Sequence, residues 1–296
     1  MKTNGFLKLA VIGFAVLTLG CKKDKDENMS DTATEMQVTS DQNEADTDVE
    51  DVATMQDDIM ASHESALGRA AVESIFTYES CAVVTITPKG NNVTGNIKVD
   101  FGEGCVGQDG RTRKGVINWS FTERLRKPGA VVVTSFQNYA VKPIGAANFI
   151  MIDNASTKVT TNESTTEPTI ESAVLNLKRD LNMKLVFPDA NTFTYTGTKH
   201  VAWDLGVLGN RWDNIYSVKV GSTLSGTGRG GKAYTWTVNT DVVRKTACQL
   251  LGIFKPVSGV VTIQHNNKTK VVDFGDGNCD KTVTITINGT RTITRW

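Results

Sequence analysis

The residues best suited to chemistry in this chain are four cysteines that stand in two similar settings. Cys81 precedes Cys105 by 24 residues, and Cys248 precedes Cys279 by 31 residues. Each second cysteine follows an acidic, glycine-rich run, DFGEG in the first copy and DFGDGN in the second. Four cysteines in an exported chain allow three disulfide pairings, and this internal echo favours Cys81 with Cys105 and Cys248 with Cys279. Each bond would close a loop of about 25 to 30 residues and contribute about 3 to 4 kcal/mol to stability.

The acidic loops of these two copies are also candidates for a metal site. Asp276, Asn278 and Asp280 have the spacing of the first three ligands of a calcium loop. However, Lys281 stands in place of the glycine that such a loop requires, and Ile287 in place of its bidentate glutamate. Zinc is a poor fit because the chain has no close Cys-x-x-Cys pair and no histidine beside either copy. We therefore predict tight turns, no metal and no cofactor.

Groups for acid and base catalysis are scarce. The chain has 3 histidines, and neither His200 nor His265 has a nucleophile next to it in the sequence. Glu103 and Asp276 occupy equivalent places in the two copies, and a pair of carboxylates is what most glycoside hydrolases use. We predict a protein without catalytic activity, and the alternative is a glycan-active hydrolase that uses paired carboxylates.

One of the tryptophans stands out as a candidate for ligand contact. Trp119, Trp203 and Trp236 alternate with other apolar residues, which indicates strand positions that face a core. Trp212 instead lies in the polar segment GNRWDN, next to Arg211. A loop tryptophan in this setting can stack on a sugar ring or anchor a protein contact, or it can fold back over the edge of a sheet. Arg211 and Trp212 are therefore our candidate ligand-binding residues.

The amino terminus has the features of an export signal. Residues 1–20 contain two lysines and then an apolar stretch from Leu9 to Leu19. Such a stretch makes about 16 Å of helix, roughly half of a bilayer core, which indicates a cleaved signal and not a spanning helix. Its end, Gly20 followed by Cys21, resembles the lipobox of bacterial lipoproteins. The resemblance implies that Cys21 becomes the acylated first residue, which anchors the chain in a membrane; the alternative is an ordinary signal peptide and an unpaired Cys21 thiol.

The residues after Cys21 bear on where the anchored protein faces. They read KKDKDEN, which resembles the short export signal that sends lipoproteins of Bacteroidota-type bacteria to the outside of their outer membrane. The resemblance implies an outer-membrane lipoprotein that faces the cell surface. A charged run of this kind would also serve simply as a solvated tether.

Charge is divided unequally along the chain. Residues 22–60 hold thirteen acidic residues against three lysines, whereas residues 61–296 hold 27 basic and 19 acidic residues. Residues 21–48 have few aliphatic side chains and no aromatic ones, so we predict a disordered acidic tether there. No basic run in the remainder is dense enough to indicate a nucleic-acid partner.

Two kinds of pattern follow the predicted tether. In residues 49–74, Val52, Met55 and Ile59 recur at helical steps, which predicts one amphipathic helix. Residues 75–296 alternate short runs rich in Val, Ile and Thr with clusters of Gly, Asn, Asp and Pro. We predict a mainly β domain of antiparallel sheets, in a sandwich or an open barrel, and a tight hairpin at Asn288 and Gly289.

Several motifs taken together carry a resemblance to a wider group. The lipobox, the two DFGxGC-like motifs and the tail NGTRTITRW resemble β-rich Bacteroidota lipoproteins with paired cysteine motifs of this kind. The resemblance implies a location in the cell envelope and a β-rich architecture, and it transfers no catalytic residue. We predict a surface-tethered binding or structural module whose partner is a glycan or an envelope protein.

Overall fold

The computed structural model describes residues 23–62, 74–89, 94–169, 173–207 and 210–295. These residues form one antiparallel sheet and one long helix, α1, which spans Lys23–Ser62. The strands are β1 Ser74–Tyr78, β2 Ala82–Lys89, β3 Thr94–Asp100, β4 Cys105–Val106, β5 Thr112–Phe121, β6 Val131–Lys142, β7 Ile150–Ile152, β8 Thr157–Asn162, β9 Val174–Val186, β10 Thr192–Asp204, β11 Ile215–Val218, β12 Thr223–Thr227, β13 Ala233–Lys245, β14 Ser258–His265, β15 Lys268–Asp276, β16 Thr282–Ile287 and β17 Thr290–Arg295. The predicted mainly β class with a single N-terminal helix is confirmed.

The sheet is a meander in which strands pair in chain order. Three pairs of short strands share their neighbours: β3 and β4 both pair with β5, β7 and β8 both lie between β6 and β9, and β11 and β12 both lie between β10 and β13. Strand β1 pairs with β2 and strand β17 with β16, so these two strands are the edges, and the described residues form no ladder between them. The arrangement fits an open barrel.

The hairpin predicted near the carboxyl end is present. Strands β16 and β17 pair up to Ile287 and Thr290, so only Asn288 and Gly289 lie between them. Both residues have positive φ, 46° and 86° respectively. A two-residue turn with positive φ at both positions matches the right-handed twist of the strands it joins, and this is why Asn-Gly is favoured there.

Alternation along the strands gives the sheet a buried inner face and an exposed outer face. In β9, for example, Leu177, Arg179, Leu181 and Met183 are buried, whereas the residues between them are half-buried or exposed. Successive strand residues point to opposite faces, so these four side chains all face inward. The inner face therefore carries basic residues among its apolar ones.

Helix α1 is enclosed by this inner face. Every residue from Ala45 to Gln56 is buried, which covers more than three turns of helix. A helix that packs on one side of a sheet buries only one stripe, so burial on all sides means that the curved sheet wraps around α1. Val49, Val52, Met55 and Ile59 belong to the same apolar core as the inward residues of the strands.

The structure corrects the predicted division of the amino-terminal region. Residues 21–48 were predicted to be a disordered tether, but the chain is helical from Lys23 onward and buried at most positions from Val38 onward. The helix predicted for residues 49–74 thus begins earlier, and in the described part of the chain it ends at Ser62. An amphipathic helix on a surface would expose its acidic residues to solvent. Acidic residues of α1 instead face basic residues of the sheet.

The predicted signal segment, residues 1–20, and the predicted lipidation site Cys21 lie outside the described residues. Within the described part of the chain, no helix is both long enough and apolar enough to cross a membrane.

Candidate functional site

The two predicted disulfides are confirmed. Cys81 is bonded to Cys105 and Cys248 to Cys279, with Cα to Cα distances of 5.6 and 5.4 Å. The first bond joins the turn between β1 and β2 to the short strand β4. The second joins the 3₁₀ helix Thr246–Leu251 to the loop after β15. Both bonds therefore fix loops at the ends of strands.

The acidic glycine motifs that precede the second cysteines form tight turns. Gly102 donates its backbone N–H to the Asp100 carboxylate at 3.0 Å, and Gly275 donates to Asp273 at the same distance. Both glycines have positive φ, 58° and 101°. The hydrogen bond from Gly102 also lowers the pKa of Asp100. The similar sequences before Cys105 and Cys279 therefore form the same kind of turn, an Asx-type turn.

The carboxylates considered for hydrolysis lie on the surface of these turns. Glu103 and Asp276 are both exposed, and Asp276 accepts hydrogen bonds from the backbone and the side chain of Asn278. Among the described residues, no three His, Cys, Asp or Glu side chains are grouped so that they could hold a metal ion.

A network of buried charges joins α1 to the inner face of the sheet. Five of its acids belong to the helix: Asp41, Asp46, Asp48, Glu50 and Asp51. Its bases belong to the strands or the loop beside them: Arg111, Arg113, Lys158, Arg179, Lys199 and Arg244. Each of these eleven residues is less than a tenth exposed. The helix and the sheet are therefore complementary in charge where they meet.

Direct ion pairs connect the two sets. Lys199 Nζ lies 2.7 Å from Asp46 Oδ1, and Arg113 Nη2 lies 2.7 Å from Asp51 Oδ2. Glu50 pairs with Arg179. These bonds link residues that are between 62 and 153 positions apart in the chain.

The network shifts the pKa values of its acids in opposite directions. Burial alone would raise the pKa of Glu50, but the charges of Arg179, Lys199 and Arg244 outweigh it and hold the pKa at about 2. Burial raises the pKa of Asp48 to about 7, although its partner Arg111 opposes the shift. Glu50 is thus held as a carboxylate, whereas Asp48 takes up a proton far more readily than an ordinary aspartate.

One base of the network, Lys158, lacks a hydrogen-bond acceptor for its ammonium group in the described part of the chain. Lys158 is fully enclosed, and its Nζ has no hydrogen-bond partner among the described residues. Burial and the charge of Arg179 lower the pKa of Lys158 to about 7, against the opposing charge of Glu50. A buried ammonium without a full set of acceptors is costly, so this part of the network is poorly satisfied.

The network was missed in the sequence, although one signal pointed to it. In LNLKRDL of β9, Arg179 alternates with Leu177 and Leu181, which are inward positions. Period-2 alternation therefore placed a basic residue on the buried face. The sequence also concentrates acidic residues in 22–60, but it does not say which bases they meet.

The outer face carries a groove lined by neutral polar side chains. The cavity measures about 800 Å³ and lies over β10, β12, β13, β14 and β15. Its lining includes the exposed side chains of Thr196, Ser225, Thr235, Gln264 and Thr269. Lys268 is the only lysine, arginine, aspartate or glutamate among the described residues that line the groove.

The five polar side chains of the groove form one row across five strands. Thr196 is the register partner of Ser225, Ser225 of Thr235, Thr235 of Gln264, and Gln264 of Thr269. Neighbouring strands lie about 4.8 Å apart, so four steps span about 19 Å. All five side chains are exposed, and each follows or precedes a buried residue on its strand, so they point away from the core. The row is therefore a linear array of hydrogen-bonding groups on a rigid sheet.

Close strand approach at one glycine maintains this part of the sheet. A Cβ atom on Gly226 would lie 1.8 Å from the carbonyl oxygen of Thr194 on the paired strand β10. No side chain fits there without separation of β10 from β12. The absence of a side chain at Gly226 thus allows the close pairing of the two strands that carry Thr196 and Ser225.

The predicted contact residues Arg211 and Trp212 lie elsewhere. They belong to the 3₁₀ turn Arg211–Asp213 between β10 and β11, where Trp212 is half-buried and its backbone N–H donates to Asn210 Oδ1 at 3.2 Å. Residue 204, at that end of β10, is eight positions from Thr196, or about 26 Å along the strand. The fold does not bring Trp212 to the groove.

No family model matches the chain, and neither curated proteins nor solved structures show a significant similarity to it.

Proposed function

We propose that this protein is a non-catalytic binding module of the cell envelope that holds a neutral, hydroxyl-rich ligand, an oligosaccharide, in the groove of the outer face. The observation that carries the proposal is the row of Thr196, Ser225, Thr235, Gln264 and Thr269, which presents hydrogen-bonding side chains in register across five strands. We refer to these five residues as the polar row.

The chemistry of the polar row matches that of a neutral glycan. A threonine or serine hydroxyl both donates and accepts hydrogen bonds, and a glutamine amide does the same through separate atoms. Sugar hydroxyls have the same double capacity. The row is about 19 Å long, which suits a ligand of several sugar units. Its side chains stand on strands, which hold them in a fixed geometry and lower the ordering cost of binding.

The groove supports binding better than hydrolysis. A glycoside hydrolase needs two carboxyl groups on opposite sides of the bond that it breaks. None of the described residues that line the groove is an aspartate or a glutamate. Glu103 and Asp276 are exposed turn residues outside it. The glycan-active hydrolase is therefore the weaker candidate.

In this proposal, helix α1 connects the sheet to the membrane anchor. It begins at Lys23, two residues after Cys21, and Val38 is the first buried residue in the part of the helix whose burial is described. Fifteen residues of helix are about 22 Å long. With acyl chains on Cys21, a continuous helix would hold the sheet at a set distance from the membrane. The lipobox and the KKDKDEN run support an outer-membrane lipoprotein that faces the cell surface.

A glycan array tests the binding proposal. The wild-type protein should bind neutral oligosaccharides, and a double variant Thr235→Val and Gln264→Met should bind them at least about tenfold more weakly, because each lost hydrogen bond is worth about 1 kcal/mol. Thr237→Val is the matched control, since Thr237 lies on the same strand and the same face but does not line the groove. Equal binding by the double variant and the control would refute the role of the polar row.

Trp212→Ala belongs in the same array as a second comparison. Its position near the far end of β10 predicts no change in the binding of a ligand held by the polar row. A loss of glycan binding in Trp212→Ala alone would move the site to the 3₁₀ turn and would support the contact residues predicted from the sequence.

Protease treatment of intact cells, combined with mass spectrometry of the amino-terminal peptide, tests the location. We expect the protein to be cleaved on whole cells and Cys21 to carry fatty acid. Protection on whole cells but cleavage after lysis would contradict the surface location. An unmodified Cys21 in the mature chain would contradict the anchor.

A further inference from the structure

A second, smaller cavity lies between α1 and the loop that follows the 3₁₀ helix Thr246–Leu251. Its volume is about 180 Å³, and its walls are formed in part by Asn43 and Thr47 of α1 and by Phe254, Lys255 and Lys281. We call this cavity the Lys255 pocket. At about 30 Å³ for each water, it has room for roughly six waters or one small organic molecule.

The walls of the Lys255 pocket are fixed by covalent and hydrogen bonds. The Cys248–Cys279 disulfide holds the 3₁₀ helix before the loop. Arg244, which is buried, donates to the backbone oxygen of Phe254 at 2.5 Å and to Thr47 Oγ1 at 3.1 Å. The loop is therefore tied to both α1 and β13, which makes the cavity largely preformed.

The charge of the pocket favours an anion. Lys255 is only 8% exposed, and the exposed Lys281 lines the same cavity. Burial lowers the pKa of Lys255 to about 8, and the charge of Lys281 adds to this, whereas Asp280 opposes it. Glu44 also lines the pocket, but its carboxylate lies 3.5 Å from Arg111 Nη2, which offsets its charge. An anion placed between the two lysines would stabilise both ammonium groups.

A neutral hydrogen-bond donor and an apolar wall define the ligand further. Asn43 is 7% exposed, and its side-chain nitrogen is buried without a hydrogen-bond partner in the described part of the chain. An unpaired buried donor indicates a site where an acceptor would be stabilised. Ile253 and Phe254 line the same space with apolar atoms. The lining therefore suits a molecule that has an anionic oxygen group and a small apolar part.

We propose that the Lys255 pocket binds a small organic carboxylate, with its carboxylate between Lys255 and Lys281, its acceptor oxygen within reach of Asn43, and its apolar part against Ile253 and Phe254. The site is separate from the polar row, since the two cavities have no lining residue in common. Its occupation would add contacts between α1 and the disulfide-bonded loop.

Isothermal titration calorimetry of the full chain with benzoate tests the pocket, with benzyl alcohol as a probe of similar shape and no charge. We expect saturable binding of benzoate and binding of benzyl alcohol that is at least about tenfold weaker. Lys255→Met and Lys281→Met should each weaken benzoate binding by roughly tenfold, since each removes one charge-assisted contact. Lys232→Met, which removes the same charge from an exposed turn outside the pocket, should bind benzoate like the wild type.

The exposed position of Lys281 keeps the test decisive if Lys255→Met folds poorly. The proposal is overturned if benzoate gives no saturable heat, if benzyl alcohol binds equally well, or if a folded Lys281→Met protein binds benzoate with unchanged affinity.

Discussion

The two faces of the sheet use polar residues in opposite ways. On the inner face, Arg113, Arg179 and Lys199 are buried and pair with acids of α1. On the outer face, polar side chains such as Thr235 and Gln264 are exposed and neutral. These three inward bases thus find their partners on α1, whereas the exposed neutral side chains of the groove are available to a ligand.

This difference indicates what each face contributes. A buried ion pair adds little net stability over an apolar pair of the same shape, because both charges lose their hydration. It does fix which residues may meet, since a shifted helix would leave charges unpaired. We infer that the inner network sets the position of α1 within the sheet, as polar core residues do in some coiled coils. Side chains on the outer face do not have to match α1, so they can be used to bind a ligand.

The sharpest contrast between the faces lies in two neighbouring residues of β9. Arg179 faces inward and pairs with Glu50, whereas Lys178 faces outward and lies 3.0 Å from Asp180. Arg179→Met leaves a buried carboxylate without its main partner and should lower the free energy of unfolding by about 3 to 5 kcal/mol. Urea denaturation of the full chain measures this loss.

Lys178→Met is the matched control for this prediction. It removes the same charge from the same strand, but from an exposed pair, so the free energy of unfolding should change by less than about 1 kcal/mol. Similar small losses in both variants would mean that the inner face is not distinct from the outer one.

The opposite pKa shifts of Asp48 and Glu50 predict a stability maximum in mildly acidic solution. The pKa of Asp48 is raised from 3.8 to about 7, so its contribution is complete below pH 3.8 and is lost as the pH rises through 7. The pKa of Glu50 is lowered from 4.5 to about 2, so its contribution is present above pH 4.5 and is lost as the pH falls toward 2. Stability should therefore rise as the pH falls from 7 to about 4.5 and decline below about pH 3.8.

Urea titrations at several pH values measure this profile, and we expect a gain on the order of 1 kcal/mol or more between pH 7 and 5. Asp48→Asn, which cannot ionise, should flatten the part between pH 5 and 7 and leave the acid decline in place. A profile that is unchanged in Asp48→Asn would assign the effect to other groups.

The smallest effects on stability are expected on the outer face. Thr235→Val and Thr237→Val both keep a β-branched residue at an outward strand position, and each should change the free energy of unfolding by about 0.5 kcal/mol or less. The same two variants should differ in glycan binding, because only Thr235 lines the groove. A large loss of stability in Thr235→Val would mean that the row is structural.

Much of the sheet could be predicted from the sequence because its signals are local. Alternation along Thr192–Asp204 indicates a strand, and Asn288 with Gly289 indicates a hairpin, from a few neighbouring residues. The disulfides followed from the repeated DFG turn before Cys105 and Cys279. In a meander each strand pairs with its neighbours in the chain, so these local signals account for most of the fold.

The part of helix α1 before residue 49 could not be predicted in the same way, because the partners of its acidic residues are distant in the chain. Asp48 meets Arg111, 63 positions later, and Asp46 meets Lys199, 153 positions later. Without those bases, an acidic segment with few apolar residues has the composition of a disordered chain. The polar row was equally hidden, since it depends on the register of five strands and not on any one of them.

Amide hydrogen exchange across α1, followed by mass spectrometry of the full chain, tests the central claim that the acidic segment is a helix enclosed by the sheet. Backbone amides of residues 45–56 should be protected as strongly as those of the inner strand β9, because both exchange only when the core opens. Exchange of residues 45–56 at the rate of an unstructured peptide, with β9 still protected, would contradict the account.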